Sequence, residues 1–256
     1  MKVSALRNNA KGGFTLIELM VVIAILAALA SIGYGPILDH MNDGQRQKAQ
    51  SNLQSLGTIL RQFKTDYGTY PCDSTATTLQ DSNPDLNFGS LTGNTANDYF
   101  RQVFYSKGNS SEKPFFAQIS CAGKTIAAEG DERLANGSAL AKGENAMAYV
   151  MSSKTDDEGG KKAIPGNKSN VPLAFCGIYP SNTPYPGTSV EFDISSFRGH
   201  VFMLSADGSV KDLEKNLDED DNDDEKGRLK PDASIFPETK KGRATAEDYI
   251  VLSPDL

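Results

Sequence analysis

Residues 14–38 read FTLIELMVVIAILAALASIGYGPIL, a run that is apolar throughout except for Glu18, Pro36 and small Gly, Ser and Thr. Its 25 residues would make roughly 37 Å of helix at about 1.5 Å rise per residue, more than a hydrocarbon core of about 30 Å. The expectation is a membrane-spanning segment. The thirteen residues before it carry Lys2, Arg7 and Lys11 and no acid, so the positive-inside rule holds them in the cytoplasm and sends the rest across. Ala28-Leu29-Ala30 offers the cleavage pattern of a secretory signal peptide. Against that, the apolar run continues through Ile32, Tyr34 and Leu38, and Glu18 sits near its start. An unpaired carboxylate there costs about 2.5 to 3.5 kcal/mol on insertion scales, so Glu18 asks for a partner.

Further along, Ala49, Leu53, Leu56, Leu60, Phe63 and Tyr67 recur at helical spacing while Gln, Asn, Lys and Arg fill the opposite side. That narrow stripe predicts an amphipathic helix laid on a sheet. Joined to the first run, residues 14 to about 66 form one helix of roughly 80 Å, half in lipid and half on a globular body, stopped by Gly68 and Pro71. Gly33, Gly35, Pro36 and Asp43-Gly44 allow it to bend. Residues 81–93 read as a loop. Ala96, Tyr99, Phe100, Val103 and Phe104 then share a helical face behind a Thr95/Asp98 capping box. Strands are expected at 115–120, 146–151, 172–179 and 200–205, the last closed by the Asp207-Gly208 turn and continued by Val210 and Leu213. Polar segments 152–170 and 181–188 read as surface loops. The fold class is α+β: a long N-terminal helix, transmembrane in one half and amphipathic in the other, packed on a C-terminal antiparallel sheet.

The 256 residues carry 26 Lys+Arg against 33 Asp+Glu, a net charge of -7, the wrong sign for coating nucleic acid. The basic pairs Lys161-Lys162 and Lys240-Lys241 lack interleaved aromatics, so no nucleic-acid partner is expected. There is no P-loop, nucleophile elbow or zincin motif; of the two histidines, His40 lies outside the body and His200 reads as the first residue of a strand. Within the acidic run 218–225, Asp218, Asp220, Asn222 and Asp224 alternate like oxygen ligands of calcium. The match is incomplete, because Asp223 stands where an EF-hand needs Gly and Leu229 where it needs Glu. Calcium and a merely solvated acidic loop both stay open. Cys72, Cys121 and Cys176 all fall beyond the first helix, where an oxidising compartment would pair two and leave one; three pairings are possible.

The segment Lys11-Gly12-Gly13-Phe14-Thr15-Leu16-Ile17-Glu18-Leu19-Met20-Val21-Val22-Ile23-Ala24-Ile25-Leu26 resembles the N-terminus of type IV pilins and type II secretion pseudopilins. The resemblance implies a pilin-like fold, cleavage by prepilin peptidase between Gly13 and Phe14, methylation of Phe14, and a role for Glu18 in assembly. Phe63 to Pro71 is similar, over a shorter stretch, to the helix exit of major pseudopilins, which also carry a calcium-stabilised C-terminal loop whose spacing does not map here. The chain then divides into a leader (1–13), an assembly helix (14–38), an amphipathic half with its exit turn (39–71) and a body (72–256). Losing the leader would leave 23 basic residues against 33 acidic ones. The implied role is structural and non-catalytic, in a filament supporting protein secretion. Its partners would be copies of itself, other pseudopilins, prepilin peptidase and an inner-membrane assembly platform, with the body periplasmic or extracellular. A surface pilus subunit or adhesin, and a membrane-tethered binding module or enzyme, remain as alternatives.

Overall fold

The long apolar periodicity does produce one helix, α1 (Leu16–Tyr67). The computed structural model describes residues 15–256 except 86–88, 108–111, 117–118, 123, 126–138, 166–169, 221–222, 231–232, 234 and 237–245. The chain divides into two compact units, 1–43 and 44–256, and α1 contributes to both. In the first unit, no helix among the described residues is long and apolar enough to cross a membrane. The transmembrane half expected for 14–38, and the single-pass inner-membrane localisation that followed from it, are corrected accordingly. Among the residues whose side chains are described, the exposed large apolar ones run from Leu16 to Leu29, about 21 Å at 1.5 Å per residue against about 30 Å of hydrocarbon, with Glu18 among them.

In the second unit the stripe on α1 forms the spine of the core. Ala49, Leu53, Leu56, Leu60 and Phe63 are all fully buried, and Phe63 stacks on Tyr67 at 4.5 Å between ring centroids. Gly68 ends the helix with φ 78°, its N–H donating to Lys64 O at 2.8 Å, a left-handed cap that suits a residue without Cβ.

Helix α2 (Asp73–Ser82) occupies a stretch for which the sequence predicted no element. Its N-cap is Cys72, whose N–H donates to Thr75 Oγ1 at 2.9 Å. Helix α3 (Ala96–Lys107) forms where its pattern places it. Thr95 N and Oγ1 donate to Asp98 Oδ2 at 3.2 and 2.8 Å, and Ala96, Tyr99, Phe100, Val103 and Phe104 are buried. Buried polar groups knit the two helices: Thr75 Oγ1 donates to Gln102 Oε1 at 2.6 Å, and Gln102 Nε2 donates to Cys72 O at 3.0 Å.

The strand expected at 115–120 is instead a helical turn, α4 (Lys113–Phe116), followed by the short strands β1 (Ser120–Cys121) and β2 (Lys124–Thr125). A strand would send the adjacent Phe115 and Phe116 to opposite faces. In the turn both rings reach Phe104, at 5.6 and 5.9 Å.

Next come β3 (Met147–Thr155), β4 (Lys161–Ala163), β5 (Pro172–Cys176), β6 (Tyr185–Pro186), β7 (Phe192–Asp193), β8 (Phe202–Ser205), β9 (Val210–Asp212), β10 (Leu217–Asp220), β11 (Asp223–Leu229) and β12 (Tyr249–Leu252). The main sheet runs β6-β12-β3-β5-β8-β9 with β4 beside β3, and a smaller sheet runs β10-β11-β7. Their pairs are antiparallel. Three expected strands thus appear, at 146–151, 172–179 and 200–205, while β4 and β6 lie in segments expected to be loops. Register sets Tyr149, Ala174 and Leu204 side by side on one face. There α1 approaches so closely that a Cβ on Gly57 would lie 2.8 Å from Leu204 Cδ1, and Phe100 of α3 meets Tyr149 at 5.3 Å. On the opposite face Phe175 meets Phe192 of β7 at 6.0 Å.

The Asp207-Gly208 turn forms as predicted, with Gly208 at φ 89° and Ser209 N donating to Asp207 Oδ1 at 2.8 Å. Arg61 of α1 donates to Asp207 O at 2.7 Å, and Tyr70 OH to Ala206 O at 3.3 Å. These bonds pin the end of α1 to the β8–β9 hairpin.

Candidate assembly segment

At the start of α1, Thr15 and Glu18 close a reciprocal cap. Thr15 N and Oγ1 each donate to Glu18 Oε2 at 2.8 Å, and Glu18 N donates to Thr15 Oγ1 at 3.3 Å. This is the capping box that satisfies otherwise unpaired donors of a helix N-terminus. The sequence already carried its signature, Thr15-x-x-Glu18, ahead of an apolar run, and reading Glu18 for its charge alone passed over it. Bonds from the Thr15 backbone and then its side chain lower the Glu18 carboxyl from its ordinary 4.5. A lowered value means the box contributes above the ordinary carboxylate range and is lost as pH falls through the lowered one.

Beyond the cap, the large apolar side chains from Leu16 to Leu29 are exposed, from 44% at Val22 to 77% at Leu16. An apolar surface this continuous marks an interaction site. Gly13 and Phe14, the expected cleavage pair, lie outside the described residues.

The acidic run is a hairpin instead of a loop. Asp218 and Asp220 stand on β10, Asp224 on β11, with Asp220 paired to Asp223 and Asp218 to Arg228. Asp218 is exposed, and Lys230 Nζ lies 3.9 Å from its carboxylate. Asn222 is outside the described residues.

The disulfide anticipated between two of the three cysteines is absent: Cys72, Cys121 and Cys176 are free and buried. Cys121 Sγ donates to Ile178 O at 3.4 Å. Burial pushes the thiols of Cys121 and Cys176 up, helped by the nearby Asp193 carboxylate. Because the thiolate is the reactive form, the native chain should react with a thiol reagent only slowly and titrate three thiols once unfolded without reductant. Prompt native labelling of Cys121 or Cys176, or fewer than three thiols after unfolding, would contradict this arrangement.

Residues 8–34 match the family described as "Prokaryotic N-terminal methylation motif". Among curated proteins the chain is similar to "Type II secretion system core protein G" of Pectobacterium carotovorum subsp. carotovorum, 44% identical over 59 residues, 23% of this chain and 38% of that one. The Klebsiella michiganensis protein of the same description is 36% identical over 66 residues, 26% of this chain and 46% of its own length. That of Escherichia coli (strain K12) is 39% identical over 59 residues, 23% and 41% respectively. The chain spans less than half the length of these relatives. No solved structure matches. At its N-terminal end, then, the chain carries the methylation segment of the type IV pilin and type II secretion pseudopilin family, and it is similar to the core protein G subunits over about a quarter of its length.

Proposed function

We propose that the protein is a structural subunit of a type II secretion or type IV pilus-like filament that supports protein secretion. In this reading prepilin peptidase cuts after Gly13 and methylates Phe14, and the chain then joins copies of itself, other pseudopilins and the assembly platform through its first helix. The observation that carries it is the exposed apolar run Leu16–Leu29 with a single carboxylate, Glu18, four residues beyond the new N-terminus. A filament interior built of such helices would cover the apolar surface, and the Phe14 ammonium of one subunit would meet the Glu18 carboxylate of another. The role is mechanical, with no catalysis.

The test is the mass of the chain recovered with and without a co-expressed prepilin peptidase. The expected product begins at Phe14 and carries one added methyl group. A chain that keeps its leader beside an active peptidase overturns the reading.

Calcium at Asp218, Asp220, Asn222 and Asp224 is a separate part of the proposal. An ion there would hold like charges together across the β10–β11 hairpin, so EDTA should lower the melting temperature and excess calcium restore it. Melting that ignores both reagents would leave the acids as a solvated hairpin.

A further inference from the structure

Three groups far apart in chemistry from the assembly segment meet beside the β8–β9 hairpin. His200, two residues before β8, has a side chain only 16% exposed, with its ring nearly parallel to that of Phe202 at 17°. Asp212 is paired in register with Phe202, which brings its carboxylate to His200, Oδ2 lying 2.6 Å from Nδ1. Glu214 opens the 3-10 turn Glu214–Asn216, and its Oε1 lies 3.7 Å from His200 Nε2. The frame is fixed by the backbone: Leu213 N donates to Val201 O at 2.8 Å, and Glu214 N donates to Asp212 Oδ1 at 3.0 Å. One ligand atom from each of the three residues falls within 4.8 Å of the others.

A neutral imidazole has one N–H and one lone pair. When Nδ1–H donates to Asp212, the Nε2 lone pair faces the Glu214 carboxylate, and two acceptors confront each other. A cation between them resolves the conflict. Histidine that ligates through one nitrogen while the other donates to a carboxylate is the recurrent way in which proteins orient a metal ligand. Metal–nitrogen and metal–oxygen distances of about 2.0 to 2.2 Å in a tetrahedral shell set ligand atoms roughly 3.4 Å apart, close to the separation of Nε2 and Oε1. Imidazole with carboxylate favours zinc and its first-row neighbours, whereas calcium and magnesium take oxygen alone.

We propose that this chain binds one divalent first-row transition ion of the zinc class at this corner, through His200 Nε2 and Glu214 Oε1. Asp212 is the positioning residue that holds the His200 ring, and water completes the shell. The site uses none of the candidate calcium ligands of the acidic hairpin and is independent of the filament reading.

The test is calorimetric titration of the full chain, first stripped with chelator, with zinc alone, and the same titration of His200→Gln, Glu214→Gln and Asp212→Asn. Wild type should bind one zinc per chain in the presence of excess calcium. His200→Gln and Glu214→Gln should abolish that binding, and Asp212→Asn should weaken it about 10- to 100-fold. Because Glu214 is half exposed, its variant keeps the test valid if His200→Gln misfolds, which circular dichroism reports. Cobalt should give visible ligand-field bands in wild type that Glu214→Gln lacks. Zinc uptake by Glu214→Gln equal to wild type, displacement of zinc by calcium, or no uptake by wild type would each overturn the assignment.

Discussion

Glu18→Gln is expected to leave cleavage after Gly13 intact and to abolish filament formation. Glutamine can keep the reciprocal bonds with Thr15, since a capping box accepts Gln as well as Glu, so the start of α1 survives and only the charge is lost. In the isolated chain both bonds from Thr15 end on Oε2, and among the described residues Oε1 accepts none, which leaves that oxygen for a neighbour. Without the charge, the Phe14 ammonium of that neighbour enters an apolar interior unpaired. Breaking a buried pair on one side costs about 3 to 5 kcal/mol, roughly 140- to 3,700-fold per contact at 1.4 kcal/mol per decade, and the loss recurs at every subunit. Thr15→Ala is the control: it opens the cap but keeps the carboxylate, so filaments should persist. Filaments from Glu18→Gln at wild-type yield would show that the charge does not register subunits.

The largest effect on stability is expected from Phe63→Ala. Phe63 is fully buried at the end of the α1 stripe and stacked on Tyr67. Truncating a buried phenylalanine to alanine typically costs about 3 to 5 kcal/mol, part transfer and part cavity. For a unit of this size each kcal/mol moves the melting temperature by about 2 to 4 °C, so a fall of roughly 6 to 20 °C is expected. Gln62→Ala, at an exposed neighbour, should stay within about 0.5 kcal/mol. Thermal unfolding followed by circular dichroism compares the two, and equal melting would mean that α1 is not seated on the sheet through this stripe.

What the sequence revealed was whatever physics writes locally. The stripe Ala49 to Tyr67 repeats with the helical period because one face must be dry, and its five leading members are indeed buried. Thr95 with Asp98, and Asp207 with Gly208, are local chemistry and formed as read. Helix α2 was hidden because Cys72 is an unusual cap and Thr and Ser dominate its turns, so its stability comes from packing on α3. The 115–120 error arose because two adjacent Phe residues serve a one-turn helix as well as a strand. The acidic run gave no strand signal, since Asp and Glu are poor strand formers, and its pairing with β7 is a long-range matter. The membrane-spanning reading rested on counting all of 14–38 as apolar length, which the described residues do not sustain.

At the candidate sites, Gly13, Phe14 and Glu18 came from resemblance and from the oddity of a charge in an apolar run. The role of Thr15 was legible and missed. His200, Asp212 and Glu214 are brought together by the β8–β9 pairing, which no spacing rule announces.

The central claim is that copies of this chain associate through the exposed apolar face of the first helix once the leader is gone. It is tested most directly by placing a photoactivatable crosslinker at Leu16 or Ile23 and comparing the cut chain with a Gly13 variant that keeps the leader. The account predicts a ladder of crosslinked oligomers from the cut chain and monomer from the uncut one. Crosslinks absent from both, or ladders identical in both, would contradict it.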